Sequence, residues 1–261
     1  MRFPKAIAKS KGFSRIFAFG LIIFSGAGLI NLCTVCAETT DELQGPPVVQ
    51  SHIIGIDPGH QSPNVDMSDL EPLGPGSTEM KAKASTGTQG TFSGLPEYQL
   101  NLDVALKLRD ELEARGYEVY MIRETNDVDI SNAERAQLAA ESGSDILIRI
   151  HANGSDNTSV AGALTMAPST ANPYLSQEMI AECQKLSQCI ITAFCASTGA
   201  NNQGVYQTDE MSGLNWCSIP ATIVEMGYMT NQEEDTRMQT ADYQQQMVTG
   251  IADGIDQYFA S

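Results

Sequence analysis

Short apolar runs of strand length recur along the chain from residue 52 onward, and longer stretches with a helical period separate them. The runs read HIIGI, EVYMI, DILIRI, GALTM and ATIVE, at residues 52–56, 118–122, 145–150, 162–166 and 221–225. Several of them are apolar at consecutive positions, which is typical of strands that are buried on both faces. The pattern therefore predicts at least five strands in a sheet that is covered on both sides.

Four further stretches predict helices, at residues 97–115, 131–142, 174–197 and 241–259. The first has apolar residues every fourth position, and an Arg-Gly pair ends it. The second begins with Ser131, and Glu134 follows three residues later, which is the pattern of a capping box. Strands that alternate with helices predict a single α/β domain with helices on both faces of the sheet.

Residues 61–96 do not fit this alternation. They are rich in Gly, Pro, Ser and Thr and contain few large apolar residues. Long loops inside compact domains usually carry function or are disordered. We therefore predict a loop insertion at 61–96 that forms a rim over a functional site.

The N-terminal segment predicts export. Residues 1–15 are polar and basic, and residues 16–37 contain no charged residue and end in Val-Cys-Ala. This is the pattern of a signal peptide that is cleaved after Ala37. Because 22 uncharged residues can also span a bilayer, an uncleaved membrane anchor at 16–37 is the alternative. In both cases residues 38–51 form a linker, and the domain at 52–261 acts in a secreted or cell-envelope location.

The charge of the chain excludes one class of protein. The chain of 261 residues has a formal charge of −17, and the N-terminal 37 residues hold five basic residues and no acidic one. Residues 38–261 therefore carry a formal charge of −22. Nucleic-acid binding requires basic surface that displaces counterions from phosphate, so we expect no nucleic-acid partner.

Four cysteines belong to the predicted domain: Cys183, Cys189, Cys195 and Cys217. The first three are six residues apart in a predicted helix, so they point in different directions and cannot pair with one another. At most one of them can form a disulfide with Cys217. We favour the alternative, in which all four are small buried hydrophobic residues.

Polar side chains stand where three of the predicted strands end. His60 follows the first strand, His151 follows the third, and Glu225 ends the last. In open α/β sheets, ligands bind outside the carboxyl ends of the strands. The sequence therefore predicts one site at this edge, whereas His52, the third histidine of the chain, begins a strand and is expected to be structural.

Two histidines and a carboxylate favour metal chemistry over the other common hydrolytic sites. The sequence contains no G-x-S-x-G nucleophile elbow and no glycine-rich phosphate loop. Two His and one carboxylate are a ligand set of hydrolytic zinc sites, which leave one position open for water. Such chemistry needs one more carboxylate for proton transfer. From the residues alone, the third ligand is either Glu97 or Glu225.

Four motifs in order give the site a family resemblance. They are D-P-G-H at 57–60, P-E-Y-x-L-N at 96–101, R-I-H-A-N at 149–153 and V-E-M-G-Y-M-T-N at 224–231. Together they resemble the zinc-dependent N-acetylmuramoyl-L-alanine amidases of the amidase-3 family. The resemblance implies a twisted, mixed, mostly parallel sheet flanked by helices, similar to that of zinc exopeptidases. It also implies hydrolysis of the amide between N-acetylmuramic acid and L-alanine in peptidoglycan.

The same resemblance assigns the site residues. It implies one Zn²⁺ per chain, bound by His60, Glu97 and His151, with Glu225 as the catalytic carboxylate. Asp57 remains open between orienting the loop and supporting a ligand histidine. The sequence departs from the family pattern in two places: Gln61 follows D-P-G-H, and His60 and Glu97 are 37 positions apart. Neither departure involves a ligand, but the loop between His60 and Glu97 should border the cleft, so both bear on which substrate is preferred. The alternatives are another zinc peptidase that acts on wall peptides and a non-catalytic wall-binding regulator.

Overall fold

The computed structural model describes residues 51–261 of the chain. The predicted signal peptide or anchor, and all but the last residue of the predicted linker, lie outside these residues. Among the helices of the described part, none is both long enough and apolar enough to cross a membrane.

The centre of the domain is a six-stranded sheet. Its strands lie in the order β4-β1-β5-β8-β6-β7. All neighbouring strands are parallel except β6 and β8, which are antiparallel. The bounds are β1 Ile53–Pro58, β4 Glu118–Met121, β5 Ile146–Asn153, β6 Ala163–Ala167, β7 Asn202–Gln207 and β8 Ala221–Tyr228. The prediction of a mixed, mostly parallel sheet is confirmed.

Six helices surround or connect these strands. Their bounds are α1 Glu97–Ala114, α2 Asn132–Glu141, α3 Gln177–Thr198, α4 Ser212–Asn215, α5 Gln232–Met238 and α6 Ala241–Phe259. The predicted capping box is present, since the Ser131 side chain accepts from the Glu134 amide while the Glu134 carboxylate accepts from the Ser131 amide. The sequence pattern therefore located the start of α2 correctly.

The two faces of the sheet are covered by different helices because successive strand residues point to opposite sides. Ile146, Ile148 and Ile150 of β5 join the main core with apolar residues of α1, α3 and α6. Leu147 lies on the other face, in a smaller core with residues of α2 and α4. Further along that second face β5 carries Arg149 and His151. The second face is thus apolar at one end and polar at the other.

Several short elements were not predicted from the sequence. Residues 61–96, predicted as a loop, contain an antiparallel hairpin of β2 (Leu70–Pro72) and β3 (Met80–Ala82). Edge strand β7 is also missing from the prediction, because its sequence NQGVYQ is polar and mostly exposed. Helices α4 and α5 have only four and seven residues, too few for a hydrophobic period to show.

The four cysteines of the domain are free thiols. Cys183 and Cys217 are buried, and the other two are partly buried. Burial raises the pKa of Cys217 to about 12, so this thiol stays protonated and unreactive. The preferred prediction of small buried residues without a disulfide therefore fits Cys183 and Cys217, whereas Cys189 and Cys195 are unpaired but only partly buried.

Candidate metal centre

The sheet brings His60 and His151 together at the carboxyl ends of neighbouring strands. Strands β1 and β5 are parallel, and Pro58 pairs with Ile150 in their register. His60 lies two residues beyond Pro58, and its ring meets the His151 ring edge-on at a centroid distance of 4.7 Å. Glu97, the first residue of α1, completes the group. One ligand atom from each of the three residues can be chosen so that all lie within 4.8 Å of one another.

Glu97 is held in place by a ring of donors. Its Oε1 lies 3.1 Å from His60 Nε2 and 3.2 Å from His151 Nδ1. The amides of Ala152 and Thr88 donate to Oε1 and Oε2 at 3.1 and 2.8 Å. Burial by itself raises the pKa of this carboxyl, but the hydrogen bonds and charges of the two histidines hold it well below its usual range. Glu97 is therefore an ionised, fixed oxygen donor at neutral pH and a candidate ligand.

The backbone at His60 has an unusual, left-handed conformation. His60 has a φ of +64°, and within residues 51–261 no other residue except glycine has a positive φ. Such left-handed conformations are unfavourable for most residues and often occur at functional sites. Ser85 fixes the ring, because His60 Nδ1 lies 2.9 Å from its Oγ and 3.2 Å from its carbonyl oxygen. Residues 61–96 therefore contact the candidate site directly, through the Ser85 side chain and its main-chain oxygen.

The three side chains fit a bound cation by several criteria. His151 Nε2 is buried and has no hydrogen-bond partner in the described part of the chain. Burial lowers the pKa of His151 to about 4, so the ring is neutral and able to ligate. Gly87 has a φ of +74°, and an added Cβ there would lie 2.3 Å from Glu97 Oε2 and 2.6 Å from the His60 ring. Any other residue at this position would therefore crowd the Glu97 and His60 side chains. The donor set of two imidazoles and one carboxylate is one that Zn²⁺ prefers.

Glu225 stands across from this group on the neighbouring strand. In the pairing of β5 with β8, His151 is the register partner of Glu225. The carboxyl is buried, and its Oε2 has no hydrogen-bond partner among residues 51–261. Burial, together with the negative charge of Glu97, raises its pKa to about 8. A carboxyl in such a place can hold a proton near neutral pH and release it to a reacting group.

This raised pKa has a measurable consequence for the metal-free protein. In the unfolded chain the Glu225 carboxyl titrates near pH 4.3, whereas in the folded chain it titrates near pH 8. Between these values the unfolded state releases a proton that the native state keeps, so the contribution of Glu225 to the stability of the wild type falls as pH rises. We expect Glu225→Gln to gain stability over the wild type across this range, by up to about 1.4 kcal/mol per pH unit.

Urea unfolding of both proteins in a chelator, at pH values from 4 to 8, measures this difference. Near pH 4 the pH-dependent part of the difference between the two free energies of unfolding should vanish. What remains is a constant difference that comes from the substitution itself. A difference that stays constant over the whole range would contradict the raised pKa.

Asp57 supports the site by orienting the loop that carries His60, the first of the two roles considered in the sequence. It is fully buried and pairs with Arg135 and Arg149, at 2.5 Å and 2.8 Å. Burial opposes ionisation, but the charges of these two guanidinium groups keep the pKa of Asp57 well below its usual range. No hydrogen bond joins Asp57 to either site histidine within the described chain. Asp57 therefore fixes Arg135, which in turn donates to the carbonyls of Pro58 and His60.

We expect Asp57→Asn to destabilise the protein by about 3–5 kcal/mol, because it leaves two buried guanidinium groups without a counter-ion. The native pKa is depressed, so the stabilisation is present above about pH 4 and disappears as the pH falls through the native value. Urea denaturation at pH 7 measures the loss. A conservative change at an exposed carboxylate, Glu233→Gln, is the matched control and should leave stability within about 0.5 kcal/mol.

Four further residues with polar side chains have structural partners. Arg123 is buried and donates to the carbonyls of Pro58, Gly59 and Tyr98. His52 lies 3.3 Å from Asp145 and stacks on Phe259, away from the site, as expected of a structural residue. The Asn231 side chain caps α5, and the Tyr228 hydroxyl donates to the Gln203 side-chain oxygen.

Sequence reasoning did not identify the residues that hold the candidate ligands. Ser85 and Thr88 come from residues 61–96, where no local period distinguishes them. Asn101 stands in the second motif, and its Nδ2 lies 3.3 Å from Glu97 Oε1 and 3.2 Å from the Gly59 carbonyl. Its position one helical turn after Glu97 was the one signal that would have found it.

Comparisons with known proteins agree with this geometry. A family model of the amidase-3 type, described as N-acetylmuramoyl-L-alanine amidase, matches residues 54–257. The N-acetylmuramoyl-L-alanine amidase LytC of Bacillus subtilis is 26% identical over 229 residues, which cover 88% of this chain and 39% of LytC. This chain therefore spans well under half the length of that relative.

Two further relatives are covered almost completely. The N-acetylmuramoyl-L-alanine amidase Rv3717 of Mycobacterium tuberculosis is 23% identical over 219 residues, which are 83% of this chain and 90% of that protein. The crystal structure of the N-acetylmuramyl-L-alanine amidase Ami1 from Mycobacterium smegmatis superimposes with a TM-score of 0.72 at 24% identity. The match covers 80% of this chain and 97% of the Ami1 chain. The structural match establishes the fold.

Proposed function

The chain belongs to the amidase-3 family, and on this premise we propose that it is a zinc-dependent hydrolase of peptidoglycan. The bond we assign to it is the amide between the lactyl group of N-acetylmuramic acid and L-alanine. The proposal includes one Zn²⁺ per chain, with His60, Glu97 and His151 as ligands and Glu225 as the catalytic carboxylate.

One observation carries the proposal. Three metal-binding side chains from separate parts of the sequence have ligand atoms within 4.8 Å of one another. Beside them, on the adjacent strand, stands a buried carboxyl without a hydrogen-bond partner in the described chain. A non-catalytic wall-binding regulator has no need to bury such a group, because an unpaired buried carboxyl costs stability.

The residues of the chain divide the work of hydrolysis. When bound, Zn²⁺ supplies Lewis acidity, which brings the pKa of a water near neutrality and polarises the scissile carbonyl. Glu225 accepts the proton of the attacking water in its ionised form, which the positive charge of a bound cation would favour over the protonated form of the metal-free site. It then donates this proton to the departing nitrogen of L-alanine. Glu97, fixed by the amides of Thr88 and Ala152, keeps the ligand geometry constant during the cycle.

The place of action follows from the N-terminal sequence. We propose that residues 1–37 direct export, as a cleaved signal peptide or as an anchor, and that residues 52–261 are the catalytic domain. The substrate lies outside the cytoplasm, which agrees with this organisation. The negative charge of the domain makes attachment to anionic wall polymers by bulk charge unfavourable, so binding depends on specific contacts in the cleft.

Digestion of purified peptidoglycan with the purified protein tests the proposal, with metal content measured on the same sample. We expect about one zinc per chain and new N-terminal L-alanine, together with glycan strands that have lost their peptides. New N-termini of other amino acids would instead favour a zinc peptidase that cleaves between residues of the wall peptide. Binding to the wall without new N-termini, in zinc-loaded protein, would favour the regulator.

A further inference from the structure

A small cleft opens beside the candidate metal centre, on the face of the sheet that α2 and α4 cover. Its volume is about 190 Å³. His60 and His151 form one wall, and the hairpin β2–β3 and α4 form the others. The other polar residues that line the cleft are Lys81, Ser85, Asn132, Arg149, Glu210 and Ser212. The cleft therefore continues directly from the place where the bond is broken.

Arg149 presents an unused donor to this cleft. The residue is only 2% exposed. Its Nε donates to Asp57 Oδ2 at 2.8 Å and its Nη2 to Asn132 Oδ1 at 3.0 Å. Within residues 51–261, no group accepts a hydrogen bond from Nη1. This nitrogen lies against α4, where an added Cβ on Gly213 would stand only 1.3 Å from it.

Two cations, Lys81 and Arg149, line the cleft against one carboxylate, Glu210, although the domain is strongly acidic. Asp57 is the single carboxylate shared by Arg149 and Arg135, and both guanidinium groups are buried. Lys81 of β3 adds another cation, whose Nζ donates to the main-chain oxygen of Glu210 at 2.5 Å. No ion pair of the described chain joins Lys81, or the Glu210 carboxylate, to another charged side chain. A ligand with one carboxylate would complete the hydrogen bonding of Arg149 and Lys81.

We propose that Arg149 and Lys81 form a carboxylate-binding subsite that selects wall peptides with a free α-carboxyl at the residue after L-alanine. This inference rests on the proposed function and names the substrate form that the same site prefers. In peptidoglycan that residue is a D-glutamate joined through its side chain, so its α-carboxyl is either free or amidated.

The spacing of the strand matches the spacing of such a peptide. Arg149 and His151 lie on the same face of β5, two residues and so about 6.6 Å apart along the strand. Two residues of an extended peptide cover the same distance. From the scissile nitrogen of L-alanine to the α-carboxyl of the next residue the peptide also spans two residues, so an extended peptide that starts at the metal centre can bring this carboxylate level with Arg149 along the strand.

Two synthetic muramoyl tripeptides that differ only at this position test the proposal, one with a free α-carboxyl and one with an α-carboxamide. We expect the full-length zinc-loaded wild type to favour the free acid by about tenfold or more in kcat/KM, since the carboxamide lacks the charge that strengthens hydrogen bonds to Arg149 and Lys81. Lys81→Met removes one cation, and Gly213→Ala places a methyl group where Arg149 Nη1 lies. Each variant should lower kcat/KM for the acid alone and bring the ratio closer to one.

Lys83→Met is the matched control, because it removes the same charge from the segment next to β3, where Lys83 pairs with Asp69 and Asp129. Its ratio between the two substrates should equal that of the wild type. Turnover of both substrates with a wild-type ratio near one, or an unchanged ratio in both test variants, would overturn the subsite and leave the amidase proposal standing. Failure of the wild type to cleave either tripeptide would remove the proposed function, and the subsite with it.

Discussion

The Glu225→Gln variant is expected to bind zinc like the wild type and to lose amide hydrolysis by about 10²–10⁴-fold in kcat. Gln has the same shape as Glu but cannot accept the proton of the attacking water or return it to the leaving nitrogen. The carboxyl lies across the β5–β8 pairing from His151 and is not a member of the group of three candidate ligands. Single-turnover hydrolysis of muramoyl peptides, with zinc measured on the same preparation, gives both values.

Glu225→Asp separates the role of the carboxyl from that of packing. The shorter side chain keeps the acid but moves it by about one methylene, so we expect activity between that of the wild type and that of the Gln variant. Wild-type turnover in Glu225→Gln would exclude the residue from proton transfer. Loss of zinc in that variant would instead make Glu225 a ligand, which was the alternative that the sequence left open.

The His151→Ala variant is expected to reduce bound zinc from about one per chain to a small fraction and to abolish hydrolysis. A site of three protein ligands that loses one retains too few donors for tight binding. The Ala152 amide and the buried Glu97 remain, so the domain itself should stay folded. Metal analysis after dialysis against a weak chelator measures the loss, and circular dichroism checks the fold.

His52→Ala is the matched control, because it removes one of the three histidines of the chain at a distance from the site. His52 packs on Phe259 and lies near Asp145, where it contacts no candidate ligand. It should retain zinc and turnover, with at most a modest loss of stability. Equal zinc content in His151→Ala and His52→Ala would contradict the proposed ligand set.

The sequence by itself determined the main elements and the edge at which the site lies. All five predicted strands and all four predicted helices are present, within a few residues of their predicted ends. Local rules are sufficient for this, since apolar periodicity and the capping pattern at Ser131 depend on neighbouring residues only. The placement of His60, His151 and Glu225 toward one edge followed from the same pattern, because parallel strands bring their carboxyl ends to one edge. The strand ends themselves were wrong for two of them, since β5 continues to Asn153 and β8 to Tyr228.

Only the tertiary structure decided which groups surround that edge. The pairing of Asp57 with Arg135 and Arg149 joins residues 78 and 92 positions apart, and no local period encodes such a contact. The hairpin β2–β3 escaped prediction because each of its strands has only three residues. Strand β7 escaped because it is largely polar and exposed and forms by pairing with β6, which is distant in the sequence. The free donor of Arg149 is likewise a property of the assembled cleft, since it depends on how α4 packs against β5 at Gly213. Local sequence sets each element, whereas long-range packing sets the chemistry around the site.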